Sequence, residues 1–371
     1  MVKTGVIGIG RMGSVHAFNI RHKLAGSLRL TAVCDIDEKK LEKYKNGDIA
    51  AFTDYKEMIE KCNLDAVIIA TPHYSHAKIA KYAIEHGVHT LVEKPLAADI
   101  EDAYSAVSAS EKVKDTVFAI MFNQRTNNIY KKAKRIIDSG QIGKIKRANW
   151  IITNWYRSQS YYNQSGWRAS WSGEGGGVLI NQCVHQLDLL QWLLGMPKYV
   201  SAKCKTVGRD IKTENDVTAI LEYEQGFEAV FIASTHDLPG TNRLEISGEG
   251  GRLIIEKSEL IFDKLKVSEP EVSRRAKGGL YGTTKISRKK YGYGLIKRIV
   301  DTILGQQRNV LANFAAVIEK GEPCVAKGSE GLASLMLING IYLSDWLQKK
   351  IELPIDGKLY SRQLELHKEK K

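Results

Sequence analysis

The chain has 371 residues, of which 43% are hydrophobic and 26% charged, and its formal net charge is +13. This length predicts two domains with a large core, and the composition is ordinary for a soluble protein. Since uninterrupted apolar runs of about 18 residues are missing, we expect no membrane span.

The termini and cysteines point to the cytoplasm. Residues 1–4 lead straight into a strand, which leaves no room for a signal peptide. The five cysteines form no Cys-x-x-Cys pair, and their odd number favours reduced thiols over a disulfide framework.

The first third alternates strands and helices at the spacing of βαβ units. Strands are predicted at residues 4–8, 28–35, 64–70, 88–92 and 117–121. The run at 64–70 is almost continuously apolar, which is typical of a parallel strand buried on both faces. With right-handed crossovers, residues 1–122 are predicted to form an α/β Rossmann domain with a doubly wound parallel sheet.

A strand and a helix flank the glycine-rich run Gly8-Ile9-Gly10-Arg11-Met12-Gly13, the context of a dinucleotide fingerprint. The glycines permit a turn that places pyrophosphate on the helix N-terminus. Asp35, about 20 residues on, is typical of a carboxylate that binds ribose. We therefore expect NAD as cofactor. NADP is less favoured because Asp35 repels a 2′-phosphate, although Lys39 and Lys40 keep NADP open.

Two loops follow predicted parallel strands, at the edge where open α/β sheets bind ligands. One is Glu93-Lys94-Pro95, whose lysine is a candidate for the site rather than a plain surface lysine. The other is Thr71-Pro72-His73-Tyr74-Ser75-His76. Its histidines have the spacing of metal ligands, but a third ligand is not evident. We expect no metal, and a loop that lines the nicotinamide side of a pocket.

From about residue 123 the pattern changes to longer alternating strands. They are predicted at residues 144–156, 199–207, 217–223, 228–234, 243–247 and 252–255. Helices are predicted at residues 129–139, 181–194, 309–320 and 329–348. Residues 123–371 are therefore predicted to form an α+β domain, in which helices cover one face of an open-faced, mostly antiparallel sheet.

A second cluster of candidate site residues surrounds a triple glycine, Gly175-Gly176-Gly177, which lets backbone pass close to a ligand. Asn181, His185 and Asp188 follow at i, i+4 and i+7, so one continuous helix would project all three from one face. A structural histidine is the alternative, but the polar stripe after a glycine loop favours a site.

The segment 264–308 contains twelve basic and three acidic residues and several tyrosines. Basic and aromatic residues together can indicate nucleic-acid binding. We favour a solvated loop or a subunit contact, with residues 278–294 as a glycine-rich loop, and expect no nucleic-acid partner.

With these elements in place, the chain resembles the glucose–fructose oxidoreductase and inositol dehydrogenase family (Gfo/Idh/MocA). The matching elements are Gly8-x-Gly10-x-x-Gly13, Glu93-Lys94-Pro95, Trp167-Arg168, the glycine loop with Asn181, His185 and Asp188, Asn313-Phe314 and Gly328-Ser329-Glu330-Gly331. The resemblance covers nearly the whole chain and is not specific to a substrate. It implies a homo-oligomer, a dimer, tetramer or larger, formed through the open sheet face.

The resemblance also implies an NAD-dependent dehydrogenase that reversibly oxidises a ring secondary hydroxyl of a sugar or glycoside, at a pyranose C3-type position, to a ketone. His185, with an ordinary pKa of about 6.5, takes the hydroxyl proton, and Lys94 stabilises the same oxygen. Many members carry Asp where this chain has Asn181, so Asn181 orients His185 or holds a substrate hydroxyl.

The remaining expected site residues fall into two groups. Candidates for substrate binding are Asn181, Asp188, Tyr156, Tyr161 and Tyr162, with packing as an equal alternative for the tyrosines. Candidates for cofactor binding are Gly8, Gly10, Arg11, Met12, Gly13, Asp35, Thr71, Pro72, His73, His76, Glu93, Lys94, Asn123, Trp167 and Arg168.

Three other functions stay open. The first is an NAD-dependent glycosidase that oxidises C3 transiently and eliminates the aglycone, and the second is an inositol or cyclitol dehydrogenase. The third is a sensor that binds dinucleotide without turnover. The basic segment 264–308 is longer than in most family members, so it can serve as a lid, an oligomer arm or a substrate wall.

Overall fold

The computed structural model describes residues 1–45, 47–164, 166–276, 282–294, 300–301 and 305–369. The six-stranded sheet consists of β1 (Val2–Ile7), β2 (Leu28–Cys34), β3 (Ala50–Phe52), β4 (Ala66–Ile69), β5 (His89–Val92) and β6 (Phe118–Ile120). Its order is β3-β2-β1-β4-β5-β6, and every neighbouring pair is parallel. The predicted doubly wound sheet is therefore confirmed. Its strand order reverses between β1 and β4, where such sheets bind ligands.

Helices follow the strands of this sheet at Arg11–Arg21, Glu38–Leu41, Tyr55–Lys61, His73–Glu85 and Ile100–Lys112, with a 3₁₀ turn at Glu42–Tyr44. The carboxylate of Asp99 accepts a hydrogen bond from the Glu101 amide at 3.0 Å and so caps the last of these helices. All four residues of β4 are buried, which accounts for its continuous apolar sequence.

The nine-stranded sheet consists of β7 (Ile145–Ile152), β8 (Tyr199–Lys205), β9 (Asp216–Glu222), β10 (Glu228–Ser234), β11 (Asn242–Gly248), β12 (Gly251–Glu256), β13 (Glu259–Leu265), β14 (Ile286–Gly292) and β15 (Ile351–Glu352). Its order is β14-β13-β12-β11-β7-β10-β9-β8-β15. β7 and β10 pair in parallel and the other neighbours are antiparallel, which confirms a mostly antiparallel sheet.

Among the described residues of the second half, helices lie at Asn128–Asp138, Gln159–Asn163, Val178–Asn181, Val184–Leu194, Glu269–Arg275, Gln307–Lys320, Gly331–Leu347 and Gly357–Glu369, with 3₁₀ turns at Asn123–Thr126 and Gly328–Glu330. The helix Gly331–Leu347 is buried along most of its length and packs on β8. The helix Gln307–Lys320 instead packs Leu311 and Phe314 into the core of the first sheet. The domain boundary at residue 122 stays a prediction.

Two parts of the prediction are wrong. Residues 286–292, expected as a loop, form the edge strand β14, which pairs with β13. An edge strand is exposed on both faces, so it lacks the apolar alternation by which strands are recognised. Gly278 and Gly279, part of the same expected loop, lie outside the described residues. The strands β3, β13 and β15 were also missed.

The second error concerns the helix expected at 181–194, which is interrupted. The amide of Cys183 donates to the carbonyl of Val178, five residues back, and a new helix begins at Val184. One extra residue in the turn rotates the following helix by roughly 100°. Asp188 consequently does not share a face with Asn181.

Asp188 is fully buried and paired with Arg125, 63 residues earlier in the chain. The guanidinium donates two hydrogen bonds to the carboxylate, from Nε at 2.9 Å and from Nη2 at 2.6 Å, and it also contacts Glu330. Burial raises the pKa of Asp188 to about 6, although Arg125 opposes this shift. The pair joins the turn Asn123–Thr126 to the helix Val184–Leu194.

All five cysteines are free thiols. Within the described ranges, the helices are too short or too polar to cross a bilayer.

We expect Asp188→Asn to lower the free energy of unfolding by about 3–5 kcal/mol, because it removes the buried counter-charge of a buried guanidinium and leaves only the partly exposed Glu330 to pair with it. Guanidinium chloride unfolding followed by circular dichroism measures the change. Asp138→Asn is the matched control, since Asp138 forms an exposed pair with Lys134 and its loss costs about 0.3–0.5 kcal/mol. Equal effects of the two substitutions would contradict a stabilising role for the buried pair.

Candidate active site

A cavity of about 1390 Å³ opens at the carboxyl ends of the parallel strands and extends to the second half of the chain. Most of the predicted site residues line it: Gly8, Gly10, Arg11, Met12, Asp35, Thr71, Pro72, His73, His76, Glu93, Lys94, Asn123, Tyr161, Trp167, Arg168, Asn181 and His185. The cavity thus brings together predicted site residues up to 177 positions apart in the chain, from Gly8 to His185.

The glycine turn at one end of the cavity fits a dinucleotide. Gly8 has φ +89° and lies against the backbone of Ala70, while a Cβ on Gly13 would lie 1.7 Å from the Gly8 carbonyl oxygen. A Cβ on Gly10 would meet open space. Among the described side chains none caps the helix Arg11–Arg21, so its first N–H groups and its dipole are available to a phosphate.

Asp35 lies beside this turn, at the end of β2. Its carboxylate accepts hydrogen bonds from the Ile9 amide at 2.7 Å and from the Asp37 amide at 3.0 Å. The Lys40 ammonium lies 3.2 Å from the same carboxylate. These contacts fix an acceptor carboxylate beside the glycine turn and place a cation next to it.

Lys94 and His185 line the same cavity, near enough for the lysine charge to act on the imidazole. The Lys94 ammonium donates to the backbone carbonyl of Asn181 at 2.9 Å, which joins the end of β5 to the helix Val178–Asn181. His185 is half-buried beside Phe122, with ring centroids 6.3 Å apart. Its Nδ1 has no hydrogen-bond partner among the described groups.

Glu174 is a site residue that the sequence reasoning missed. Its carboxylate accepts hydrogen bonds from the side-chain amide of Asn181 and from the Ala169 backbone at 2.8 Å, and it lies 3.7 Å from Arg168. Asn181 therefore contacts Glu174. Its expected role, to orient His185 or to hold a substrate hydroxyl, stays a prediction. The position of Glu174 directly before the triple glycine was a signal that could have revealed it.

The glycine loop is held by Glu214, which also went unpredicted. Its buried carboxylate accepts hydrogen bonds from the amides of Gly177 at 2.9 Å and Leu179 at 3.0 Å and from the Tyr342 hydroxyl at 2.9 Å. A Cβ on Gly177 would lie 1.9 Å from the Glu214 backbone oxygen, so this close approach requires glycine. Burial raises the pKa of Glu214 to about 7, and the hydrogen bonds limit that rise.

The electrostatics of the site differ from the expectation for a histidine base. Burial, together with the positive charge of Lys94, lowers the pKa of His185 to about 3. Burial also lowers the pKa of Lys94, an effect that Glu93 and Glu174 partly offset. His185 is therefore neutral at pH 7 and can accept a proton, but it is a weaker base than an ordinary imidazole.

Glu93 provides the nearest carboxylate to this pair from the first sheet. Burial alone would raise its pKa, but His16 and Lys94 lower it below its usual value. The His16 Nε2 lies 2.8 Å from the Glu93 carboxylate, and both side chains are buried. Glu93 therefore remains ionised and paired beside the cavity.

The histidines after β4 are held by backbone rather than arranged around an ion. His73 Nδ1 lies 2.8 Å from the Glu174 carbonyl oxygen. The ring nitrogens of His76 lie 2.7 Å and 2.6 Å from the carbonyl oxygens of Pro95 and Thr71. Within the described ranges, no group of three or more potential metal-binding side chains is found.

Three of the expected substrate residues lie outside the cavity lining. Asp188 is buried with Arg125, as described above. Tyr162 donates to or accepts from Thr235 at 2.8 Å, and Tyr156 lies beneath Arg209. Tyr161 does line the cavity.

Known proteins with similar sequences define the family. Residues 2–121 match the oxidoreductase family with an NAD-binding Rossmann fold, and residues 130–254 match the GFO/IDH/MocA C-terminal domain. The chain belongs to the Gfo/Idh/MocA family. It is an NAD-dependent oxidoreductase that acts on CH–OH groups, of the sugar and cyclitol dehydrogenase class. The expected family and the expected NAD cofactor are confirmed.

Three relatives illustrate this similarity. The myo-inositol 2-dehydrogenase of Thermotoga maritima is 25% identical over 91% of this chain and 94% of its own length. The scyllo-inositol 2-dehydrogenase (NAD(+)) of Bacillus subtilis is 33% identical over 52% of this chain and 54% of its own. The WlbA dehydrogenase of Bordetella pertussis, solved in complex with NADH and UDP-GlcNAcA, shares the fold with a TM-score of 0.78 and 24% identity, over 96% of this chain and 99% of its own.

We expect His185 to titrate well below pH 6.5 in the cofactor-free protein, and Lys94→Met to raise its pKa. The substitution removes the second cause of the shift, while burial, the larger cause, keeps the pKa below its ordinary value. An NMR titration of the imidazole, assigned with His185→Gln, measures both midpoints. Lys78→Met, which removes an exposed lysine from the same cavity, is the control. A wild-type midpoint near 6.5 would show that burial does not govern this histidine.

Proposed function

We propose that the protein oxidises a ring secondary hydroxyl of a sugar or glycoside, at a pyranose C3-type position, to a ketone, and that the reaction is reversible. The observation that carries this proposal is the placement of Lys94 and His185 in the same cavity as the glycine turn and Asp35. A proton acceptor and a cationic hydrogen-bond donor beside a dinucleotide site are the groups that alcohol oxidation requires.

The proposed roles follow from the charge of each group. Neutral His185 accepts the proton of the reacting hydroxyl. The ammonium of Lys94, held at 2.9 Å by the Asn181 carbonyl, donates a hydrogen bond to the same oxygen and stabilises its developing negative charge. Bound NAD supplies the hydride acceptor.

Different residues of the cavity are proposed to hold the different parts of NAD. The glycine turn and the N-terminus of the helix Arg11–Arg21 would bind the pyrophosphate, and Asp35 the ribose. Asn123, Trp167 and Arg168, together with the loop from Thr71 to His76, would border the nicotinamide.

A cyclitol is the second candidate substrate, because two relatives carry the names of inositol 2-dehydrogenases. A panel of free sugars, inositols and glucosides, assayed with NAD and NADP for NADH and ketone, separates the candidates. A glycosidase acting by transient oxidation would release free sugar without net NADH. A dinucleotide-binding sensor would give neither product.

We expect Lys94→Ala and His185→Ala each to lower kcat by about 10²- to 10⁴-fold, the range in which a positioned acid or base contributes. NAD affinity, measured by fluorescence titration, should be nearly unchanged, because both side chains are proposed to act on the reacting hydroxyl and other residues are proposed to hold NAD. His22→Ala is the control, since His22 is exposed and bonds only the Phe18 carbonyl in the described structure. Turnover like that of the wild type in either variant would remove that residue from the mechanism.

We also propose that the open face of the nine-stranded sheet forms a homo-oligomer, a dimer, tetramer or larger. Cross-strand neighbours Ile151 and Ile232 share this face with Val230 and Ile220. Ile151 is 36% exposed and Ile220 40% exposed. Toward β12 and β13 the face becomes charged, with Arg243 between Glu245 and Glu256. An apolar centre with a polar rim is the usual anatomy of a subunit interface.

The basic segment 264–308 is proposed to extend this sheet edge and not to bind nucleic acid. Its strand β14 lies at the edge, where Arg288 pairs with Asp263 at 2.6 Å. Arg274 and Arg275 both pair with Glu271. These ion pairs neutralise part of the segment's positive charge, which would otherwise be available to bind the phosphate backbone of a nucleic acid.

We expect Ile151→Lys combined with Ile232→Lys to dissociate the oligomer into monomers, because the two lysines would bury adjacent like charges in the apolar centre. Size-exclusion chromatography with light scattering measures the mass. Leu366→Lys, which adds the same charge at a 53% exposed leucine of the last helix, is the control. A wild-type protein that is monomeric at micromolar concentration would overturn the proposed interface.

A further inference from the structure

The residues that the second half of the chain contributes to the cavity lining include two arginines, Arg157 and Arg168, on either side of Tyr161 in the sequence. Arg157 was not predicted as a site residue, and the proposed oxidation leaves it without a role. The charge of Arg157, the hydrogen bonds that fix its backbone and the groups around its side chain determine what this part of the cavity can bind.

The backbone of Arg157 is fixed at two points. Its amide donates to the Thr235 carbonyl at 2.8 Å, and its own carbonyl accepts from Arg209 Nε at 2.8 Å. Thr235 directly follows β10, so the arginine is mounted on the nine-stranded sheet. The side chain therefore starts from a rigid part of the fold, which lowers the entropy lost when it binds a ligand.

The guanidinium of Arg157 is oriented but has no counter-charge. It lies 4.9 Å from the centroid of the Tyr161 ring, and its Nη1 donates to the Tyr156 carbonyl at 3.0 Å. Its Nε is buried without a hydrogen-bond partner. Among the carboxylates that the structure describes, none forms an ion pair with it. A half-buried guanidinium with an unused donor is stabilised by an anion.

Arg168 continues the same wall from the other side of Tyr161. Its Nη1 donates to the Tyr161 hydroxyl at 3.0 Å, and the guanidinium lies 5.0 Å from the ring centroid. Glu174 lies 3.7 Å from Arg168 and contacts Asn181, whose carbonyl accepts from Lys94. A continuous series of contacts thus runs from Arg157 to the proposed catalytic lysine.

Along this wall lie three cations, Arg157, Arg168 and Lys94. Glu174 lies beside Arg168 and near Lys94, and Glu93 also acts on Lys94, whereas Arg157 forms no ion pair with a described carboxylate. We propose that the substrate carries an anionic group, a carboxylate or a phosphate ester, which binds Arg157 with help from Arg168 while the reacting hydroxyl lies at Lys94 and His185. The identity of the substrate as a sugar rests on the proposed function, whereas the anion site rests on the wall itself. A planar guanidinium matches both kinds of anion, because it presents paired N–H donors.

The experiment separates anion binding from turnover. The enzyme–NADH complex is titrated with glucuronate, glucose 6-phosphate and glucose at constant ionic strength, and NADH fluorescence reports binding. We expect an acidic sugar to bind more tightly than glucose, and Arg157→Gln to weaken it by about 10- to 100-fold, the range for hydrogen bonds to charged groups. Glucose binding should stay unchanged. The tighter of the two acids identifies carboxylate or phosphate as the anion.

Two further variants test whether the effect of Arg157→Gln comes from its lost hydrogen-bond donors. Arg157→Lys keeps the charge but loses the paired donors, so we expect an intermediate affinity. Arg135→Gln removes an exposed arginine from the helix Asn128–Asp138 and should change nothing. Circular dichroism of each variant verifies folding.

Several results would overturn the proposal. Glucose that binds as tightly as both acids, or acids that bind Arg157→Gln as well as wild type, would show that the wall does not recognise an anion. Loss of NADH affinity in Arg157→Gln would assign Arg157 to the cofactor phosphates instead. In the turnover assay, oxidation of neutral sugars alone refutes the anion site and keeps the proposed function. If acids bind in a way that depends on Arg157 but no sugar gives NADH, the anion site is supported and the proposed function is refuted.

Discussion

The buried carboxylate of Glu214 is the constraint on which the site depends. By accepting hydrogen bonds from Gly177 and Leu179, it fixes the start of a short helix and the glycine loop before it. That loop carries Glu174 at one end, and the helix carries Asn181 at the other, so the two side chains meet. Through the Asn181 carbonyl the same helix holds Lys94 from the parallel sheet. One buried carboxylate thus positions groups from both halves of the chain.

Burial then shifts the protonation equilibria of Lys94 and His185. Lys94 and His185 share a desolvated region, so burial disfavours the charged form of each, and the lysine charge further disfavours the imidazolium. Glu93 and Glu174 limit this effect for the lysine, since both carboxylates lie near enough to stabilise an ammonium. The result is a cation beside a neutral imidazole, an arrangement that can accept the proton of a hydroxyl and stabilise the oxyanion left behind.

The two faces of the nine-stranded sheet differ: one is buried in the core and the other is a surface. Its inner face buries Trp150, Phe231 and Phe262 against helices. Its outer face alternates with this one along each strand and is apolar only at its centre, so the same strands present a core and a surface. The edge strand β14 extends this surface with paired charges, which discourages indiscriminate strand addition at the edge.

The sequence by itself determined the parallel sheet, the glycine turn, Asp35 and the strand-end lysine, because each of these is a local pattern: an apolar run, a turn that needs glycine, or a residue at a strand end. Most of the cavity-lining residues that the sequence predicted belong to such local patterns. Only the tertiary structure decided the burial of Asp188, the contacts of Glu174 and the lack of a described ion-pair partner for Arg157. One extra residue in a helical turn rotated Asp188 toward Arg125, and no spacing rule anticipates it. Ion pairs and desolvation join residues far apart in the chain, so they exist only once the chain has folded.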